Sequence, residues 1–309
     1  MSEAQARARA ETTGDETQSA LPADTGQPLY AAAWMFLALL SFSAMAVAGR
    51  ELVGHLDTFS IMFYRSLIGF AVVASVLAVT GKFGQVKTRR IGTHFWRNVA
   101  HFTGQNLWFF AVGYITLAQL FALEFTSPIW VALAAPFFLG ERFTGWRIGT
   151  TIAGFIGVLI VVRPGVTEVG IGEVTALASS VCFASNIMIT KSLSRTETTL
   201  GIVFWMTLMQ AVMAGVILLG QPIVPDWQVV PWVVVVGFGG LSAHFSLARA
   251  FRHADASVVA PMDFLRLPLI AFVGALAYAE ALDPYVFIGG AIVFFSNYVN
   301  VWRAGRKAA

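Results

Sequence analysis

Ten runs of apolar residues, most of them close to twenty long, dominate this chain: 30–49, 58–79, 95–114, 117–139, 144–162, 171–190, 199–219, 228–248, 256–279 and 284–302. About 20 apolar residues is the length a helix needs to cross a hydrocarbon core, and a helix satisfies all its backbone hydrogen bonds without a partner strand. Outer-membrane strands would alternate with period two, which these runs do not. Only 12% of the 309 residues are charged, against about 25% in soluble domains. The expected fold class is an all-α polytopic membrane protein with ten transmembrane helices.

The charges between the runs give an orientation. With the N-terminus inside, the inner loops carry Lys82, Lys87, Arg89, Arg90, Arg142, Arg147, Lys191, Arg195, Arg249 and Arg252, and the C-terminal tail adds Arg303, Arg306 and Lys307. The outer loops hold only Arg50 and Arg163, so the bias is 13 to 2. Basic residues are retained on the cytoplasmic side, which predicts an inner (plasma) membrane protein with both termini cytoplasmic. The net charge of +3 therefore reports orientation, and no nucleic-acid partner is expected. Residues 1–28 are polar, without the basic start and apolar core of a signal peptide, and read as a disordered cytoplasmic tail; 303–309 form a basic one. The single cysteine, Cys182, excludes an intrachain disulfide or thiolate metal cluster and lies in an apolar run, as a small packing residue. No metal or cofactor is expected.

The halves repeat in order, 29–165 and 166–302. Phe42-Ser43-Ala44 through Arg50 lines up with Phe183-Ala184-Ser185 through Lys191, and Thr58 to Tyr64 with Thr199 to Trp205 at a spacing of 141. The fourth and ninth runs match at a spacing of 139, pairing Glu124 with Asp263, Phe125 with Phe264 and Glu141 with Glu280. Five spans is an odd number, so a duplicated unit enters the membrane the other way up the second time. Two inverted five-helix repeats put a shared site near the midplane and supply two near-equivalent arrangements, the basis of alternating access.

Phe63-Tyr64-Arg65-Ser66, the stretch Ala118-Gln119 through Pro128, Phe138-Leu139-Gly140-Glu141-Arg142 and Val162-Arg163-Pro164-Gly165 resemble the EamA-type drug/metabolite transporter superfamily over residues 30 to 302. Tyr278-Ala279-Glu280 stands where the family usually has Leu-Gly-Glu. The resemblance implies carriage of a small metabolite, with amino acids, nucleotide sugars, vitamins, S-adenosylmethionine and drugs all within the superfamily. Asp263-Phe264-Leu265-Arg266 is similar to members assigned to riboflavin or S-adenosylmethionine uptake.

Few ionisable groups fall inside the spans, and each costs at least about 2.5 kcal/mol at mid-bilayer unless paired or facing water. Arg65 and Glu124 each lie seven residues into an inward-running span, ~10 Å deep at 1.5 Å per residue, and are expected to meet as a pair. Asp263 and Arg266 share a helix face, with Pro261 and Pro268 beside them, so the ninth span is a candidate interrupted helix; Pro128 and Pro136 do the same for the fourth. For Arg266 and Asp263 a substrate-binding role is preferred to a structural ion pair; for Arg65 and Glu124 the two readings stand level. Arg97, near the inner end of the third span, is expected to snorkel.

His101, Gln105, Asn106, Asn186, Gln210 and His244 add an uncharged lining, with Gln105 and His244 matched at the repeat spacing. Lone membrane histidines are otherwise often interhelical glue. Trp108, Phe109, Phe125 and Phe264 could stack on a planar ligand, though such aromatics more often pack. Gly149, Gly154, Gly157, Gly289 and Gly290 predict close helix contact, internal or in a homodimer.

A secondary carrier of a small polar metabolite accounts for the repeat and the sparse buried charge. No Walker A loop occurs to use ATP, and proton coupling through Glu124, Asp263 or His244 and passive exchange stay open. An intramembrane enzyme is the alternative, but neither HExxH nor GxSxG occurs; a channel would need a filter loop or a ring of like charges, and none is visible.

Overall fold

Among the described residues of the computed structural model every regular element is helical. The structure describes residues 28–139, 145–166, 168–219, 224–254, 259 and 262–306. The expected N-terminal tail lies outside these apart from Pro28, as do Glu141, Arg142 and Pro261. The helices are α1 (Pro28–Leu52), α2 (Thr58–Thr80), α3 (Ile91–Val112), α4 (Leu117–Glu124), α5 (Ser127–Leu139), α6 (Gly145–Val162), α7 (Ile171–Leu193), α8 (Thr199–Ile217), α9 (Val230–His253), α10 (Arg266–Tyr278) and α11 (Pro284–Arg306).

Their starts follow from local chemistry that the two halves share. The Asp57 carboxylate accepts the Phe59 and Ser60 N–H groups, each at 2.9 Å, and caps α2. Thr198, 141 residues later, caps α8 by accepting the Gly201 N–H at 3.0 Å. Such caps satisfy donors that the first helical turn leaves free.

Among the described residues six spans are long and apolar enough to cross a membrane: Leu29–Leu52, Thr58–Thr80, Leu117–Ala134, Ile171–Leu193, Thr199–Ile217 and Val230–Ala250. Shorter apolar helices occupy Ile148–Val162, Arg266–Tyr278 and Pro284–Val299. Phe245, Phe272, Leu276 and Phe295 point outward, a girdle that suits lipid and would drive association in water. Helix α3 is 22 residues long yet not among the six, because it carries His94, Arg97, Asn98, His101, Gln105 and Asn106, all of them buried in the protein.

The main packing joins one half to the other: α1 with α9, α3 with α7, α2 with α8 and α6 with α11. Exchanging the halves turns the first pair into the second and leaves the other two as they are. At the α6–α11 crossing a Cβ on Gly157 would stand 2.7 Å from the Gly289 carbonyl oxygen, so Gly157 and Gly289 serve contact within the chain. A Cβ on Gly149 would meet nothing.

Candidate functional site

Helix α3 supplies the polar spine of the interior. Arg97 is only 6% exposed, so it does not snorkel: its Nε donates to Thr190 Oγ1 at 3.0 Å and its Nη1 to Asn98 Oδ1 at 3.3 Å. Gln210 Nε2 meets Asn98 Oδ1 at 3.2 Å and His101 Nδ1 at 2.8 Å. With that amide N–H donating, the imidazole proton sits on Nε2. Neither Asn98 nor Gln210 announces its partners in sequence, since bonds between α3 and α8 depend on the rotation of each helix and not on depth.

A second node forms where two helices are interrupted. The fourth span breaks at Phe125–Thr126, between α4 and α5, and Pro128 stands second in the downstream helix, where its missing N–H costs nothing. The carbonyls there find side-chain donors: Thr126 Oγ1 donates to Leu123 O at 2.6 Å, Ser127 Oγ to Glu124 O at 2.8 Å and Asn297 Nδ2 to Phe125 O at 2.9 Å. This leaves Glu124 projecting at a helix end. The ninth span turns at Phe264–Leu265 before α10, whose third residue is Pro268.

At this node Arg266 lies 3.3 Å from Glu124 and 3.5 Å from Asp263. Glu124 and Asp263 are repeat mates, so the two halves deliver equivalent carboxylates to one guanidinium. Arg266 is 4% exposed, with the rings of Phe42, Phe121 and Phe125 at 4.6, 4.9 and 4.9 Å. Trp108 Nε1 donates to Glu124 Oε2 at 2.8 Å, and its ring is packed against Phe109 and Phe121.

The expected Arg65–Glu124 pair does not form, because Glu124 is committed to Arg266 and Trp108. Arg65 instead lies across α9: a Cβ on Gly240 would stand 2.9 Å from its Nη2. It is buried, and among the described residues its Nε has no hydrogen-bond partner. His244, one turn beyond Gly240, packs on Phe42 at 5.5 Å and His101 at 6.5 Å between ring centroids. The residue is exposed. Gln105 is one turn from His101, and Asn186 lies on the α7 stripe between Phe183, which touches His101, and Thr190. Gln105 Oε1 and Asn186 Oδ1 are buried without a partner among the described residues. A separate apolar groove of about 280 Å³ between α5 and α7, lined by Trp130, Leu133, Val181 and Met188, holds no charge.

A third cluster closes one end of the protein and carries signals the sequence did not reveal. Ala279 adopts a left-handed backbone, φ +52°, which turns Glu280 back over α10; only a glycine at 274 leaves room for its carboxylate. Glu280 Oε1 then lies 3.1 Å from Arg50, and Oε2 accepts the Leu117 N–H at 2.9 Å. Beside it Tyr278 donates to Glu51 at 2.7 Å, and Arg163 pairs with Asp283.

A helical multi-pass scaffold built of two matching halves, with ionisable and polar groups gathered between them, defines a membrane transport protein. The EamA-like transporter family model matches residues 29–163 and again 170–302, and the chain belongs to that family. It is 29% identical to a riboflavin transporter of Rhizobium johnstonii over 96% of this chain and 99% of that one. It is 25% identical to an S-adenosylmethionine uptake transporter of Rickettsia bellii, over 84% of this chain and 89% of the other. A solved crystal structure matches the fold with a TM-score of 0.61 at 19% identity, covering 90% of this chain and 99% of its own.

Proposed function

We propose that this chain carries a small polar organic metabolite across the inner membrane by alternating access, using ten spans arranged as two inverted repeats of 29–165 and 166–302, with both termini cytoplasmic. Riboflavin and S-adenosylmethionine are the first candidate substrates, as the relatives' names suggest, and amino acids a further class. The observation that carries this reading is the convergence of Glu124 and Asp263, one from each half, on Arg266. A charge network shared between halves is an element that a relative movement of the halves would rearrange. Gln105, Asn186, His244, Arg65 and Trp108 complete the proposed site.

The end closed by Arg50–Glu280 and Tyr278–Glu51 is the outer one in the orientation that the basic residues favour. Access from that side requires these contacts to part, while the interior set stays in place.

Counterflow in proteoliposomes tests the proposal. Vesicles loaded with unlabelled riboflavin or S-adenosylmethionine should accumulate the labelled compound transiently and saturably. Flux linear in concentration, without counterflow, would indicate a channel; conversion of the compound would indicate an enzyme.

A further inference from the structure

Among the described residues the buried charges of the site do not balance: Arg65, Arg97 and Arg266 stand against Glu124 and Asp263. Glu124 and Asp263 are both engaged by Arg266; among the described residues Arg65 is left without a carboxylate within 4 Å, and Arg97 hydrogen-bonds to the neutral Thr190 and Asn98. Both residues are 6% exposed. A buried cation without a counter-charge is costly, and more so in lipid than in water.

These cations belong to one place. Arg97 stands one turn before His101 on α3, and the His101 ring lies 6.5 Å from that of His244. Arg65 lies over Gly240, one turn from His244, which is exposed. Phe42 separates this group from the Arg266 node, touching His244 on one side and Arg266 on the other. The exposed His244 therefore lies beside a buried cation with an unspent donor, next to a node in which one guanidinium already serves two carboxylates.

The geometry points to an anion subsite formed by Arg65 and His244, with Arg97 and His101 behind them, that receives a carboxylate or phosphate group of the transported molecule. This rests on the carrier reading and narrows it: the substrate brings the negative charge that the protein lacks. A planar guanidinium favours forked, charge-assisted bonds to either group. Between the two candidates, S-adenosylmethionine meets the requirement through its α-carboxylate and riboflavin only as its 5′-phosphate.

Purified full-length protein in nanodiscs allows the test. Inorganic phosphate and acetate, each against chloride at equal ionic strength, should raise the unfolding midpoint of the wild type, since a ligand of the folded state stabilises it. The rise should vanish in Arg65→Met. It should also vanish in Gly240→Ala, which keeps every charge but displaces the guanidinium and serves if Arg65→Met does not fold. Binding of matched pairs identifies the group: S-adenosylmethionine against its decarboxylated form for a carboxylate, riboflavin 5′-phosphate against riboflavin for a phosphate. The anionic member of one pair should bind about tenfold tighter, ~1.4 kcal/mol, with the preference lost in the variants. Equal anion response in wild type and both variants overturns the subsite. Counterflow with no anion preference sinks the subsite alone, and anion binding without counterflow sinks the carrier reading alone.

Discussion

Replacing Arg266 with methionine would strip two carboxylates of their counter-charge at once. Glu124 and Asp263 lie 3.3 and 3.5 Å from the guanidinium, which is 4% exposed. Removing one partner of a buried ion pair costs about 3–5 kcal/mol, because the remaining charge stays desolvated. Losing the three aromatic faces adds about 1 kcal/mol, since methionine keeps apolar contact but no charge. Arg266→Met should therefore lose about 4–6 kcal/mol of folding stability. The triple variant Glu124→Gln, Asp263→Asn, Arg266→Met leaves no charge unpaired, and its glutamine can still accept the Trp108 N–H. It should be more stable than Arg266→Met alone by roughly 2–3 kcal/mol. Denaturant titration in detergent micelles, followed by tryptophan fluorescence, measures both. A triple variant as unstable as the sum of its single changes would show that the three charges do not act as a unit.

Breaking the closed end should open it: in a Cys182→Ser, Ala118→Cys background, Glu280→Gln or Arg50→Ala should speed labelling by a membrane-impermeant maleimide at least about threefold, because residue 118 is only 8% exposed beside Leu117, whose N–H Glu280 holds. Unchanged labelling would detach that cluster from gating. A fluorescent-protein fusion at Ala309 should glow and a phosphatase fusion there should be inactive, given the excess of basic residues expected inside. The reverse pattern would invert the topology.

Much of the scaffold was legible because lipid leaves the chain few options: run length and hydropathy delimit the helices, and the spacings of 141 and 139 register one half on the other. The pairing of α6 with α11 through Gly157 and Gly289 followed the glycines. The ion pairs were less legible. Equal depth suggested that Arg65 would meet Glu124, but depth is one coordinate of three, and the rotation of each rod gave Glu124 to Arg266. The same blindness made Arg97 a snorkelling residue, when it turns inward to Thr190 and Asn98. Glu280 was read as a family signature; its contact with Arg50 and the α4 start depends on the left-handed turn at Ala279, which no pattern of alanines announces.

The exchange of partners between halves has a consequence for how the protein is made. Ser41 on α1 and Ser242 on α9 share a 2.9 Å hydrogen bond across 201 residues of sequence. At about 5–20 residues per second, the ribosome completes α9 roughly 10–40 s after α1 has entered the bilayer. Helix α1 waits through that interval without its principal neighbour, and α2, α3 and α6 each wait a shorter one for α8, α7 and α11. Assembly of this protein is thus a late event in translation, and a ribosome that stalls near the middle of the message releases a product that the quality-control machinery of the membrane must hold or destroy.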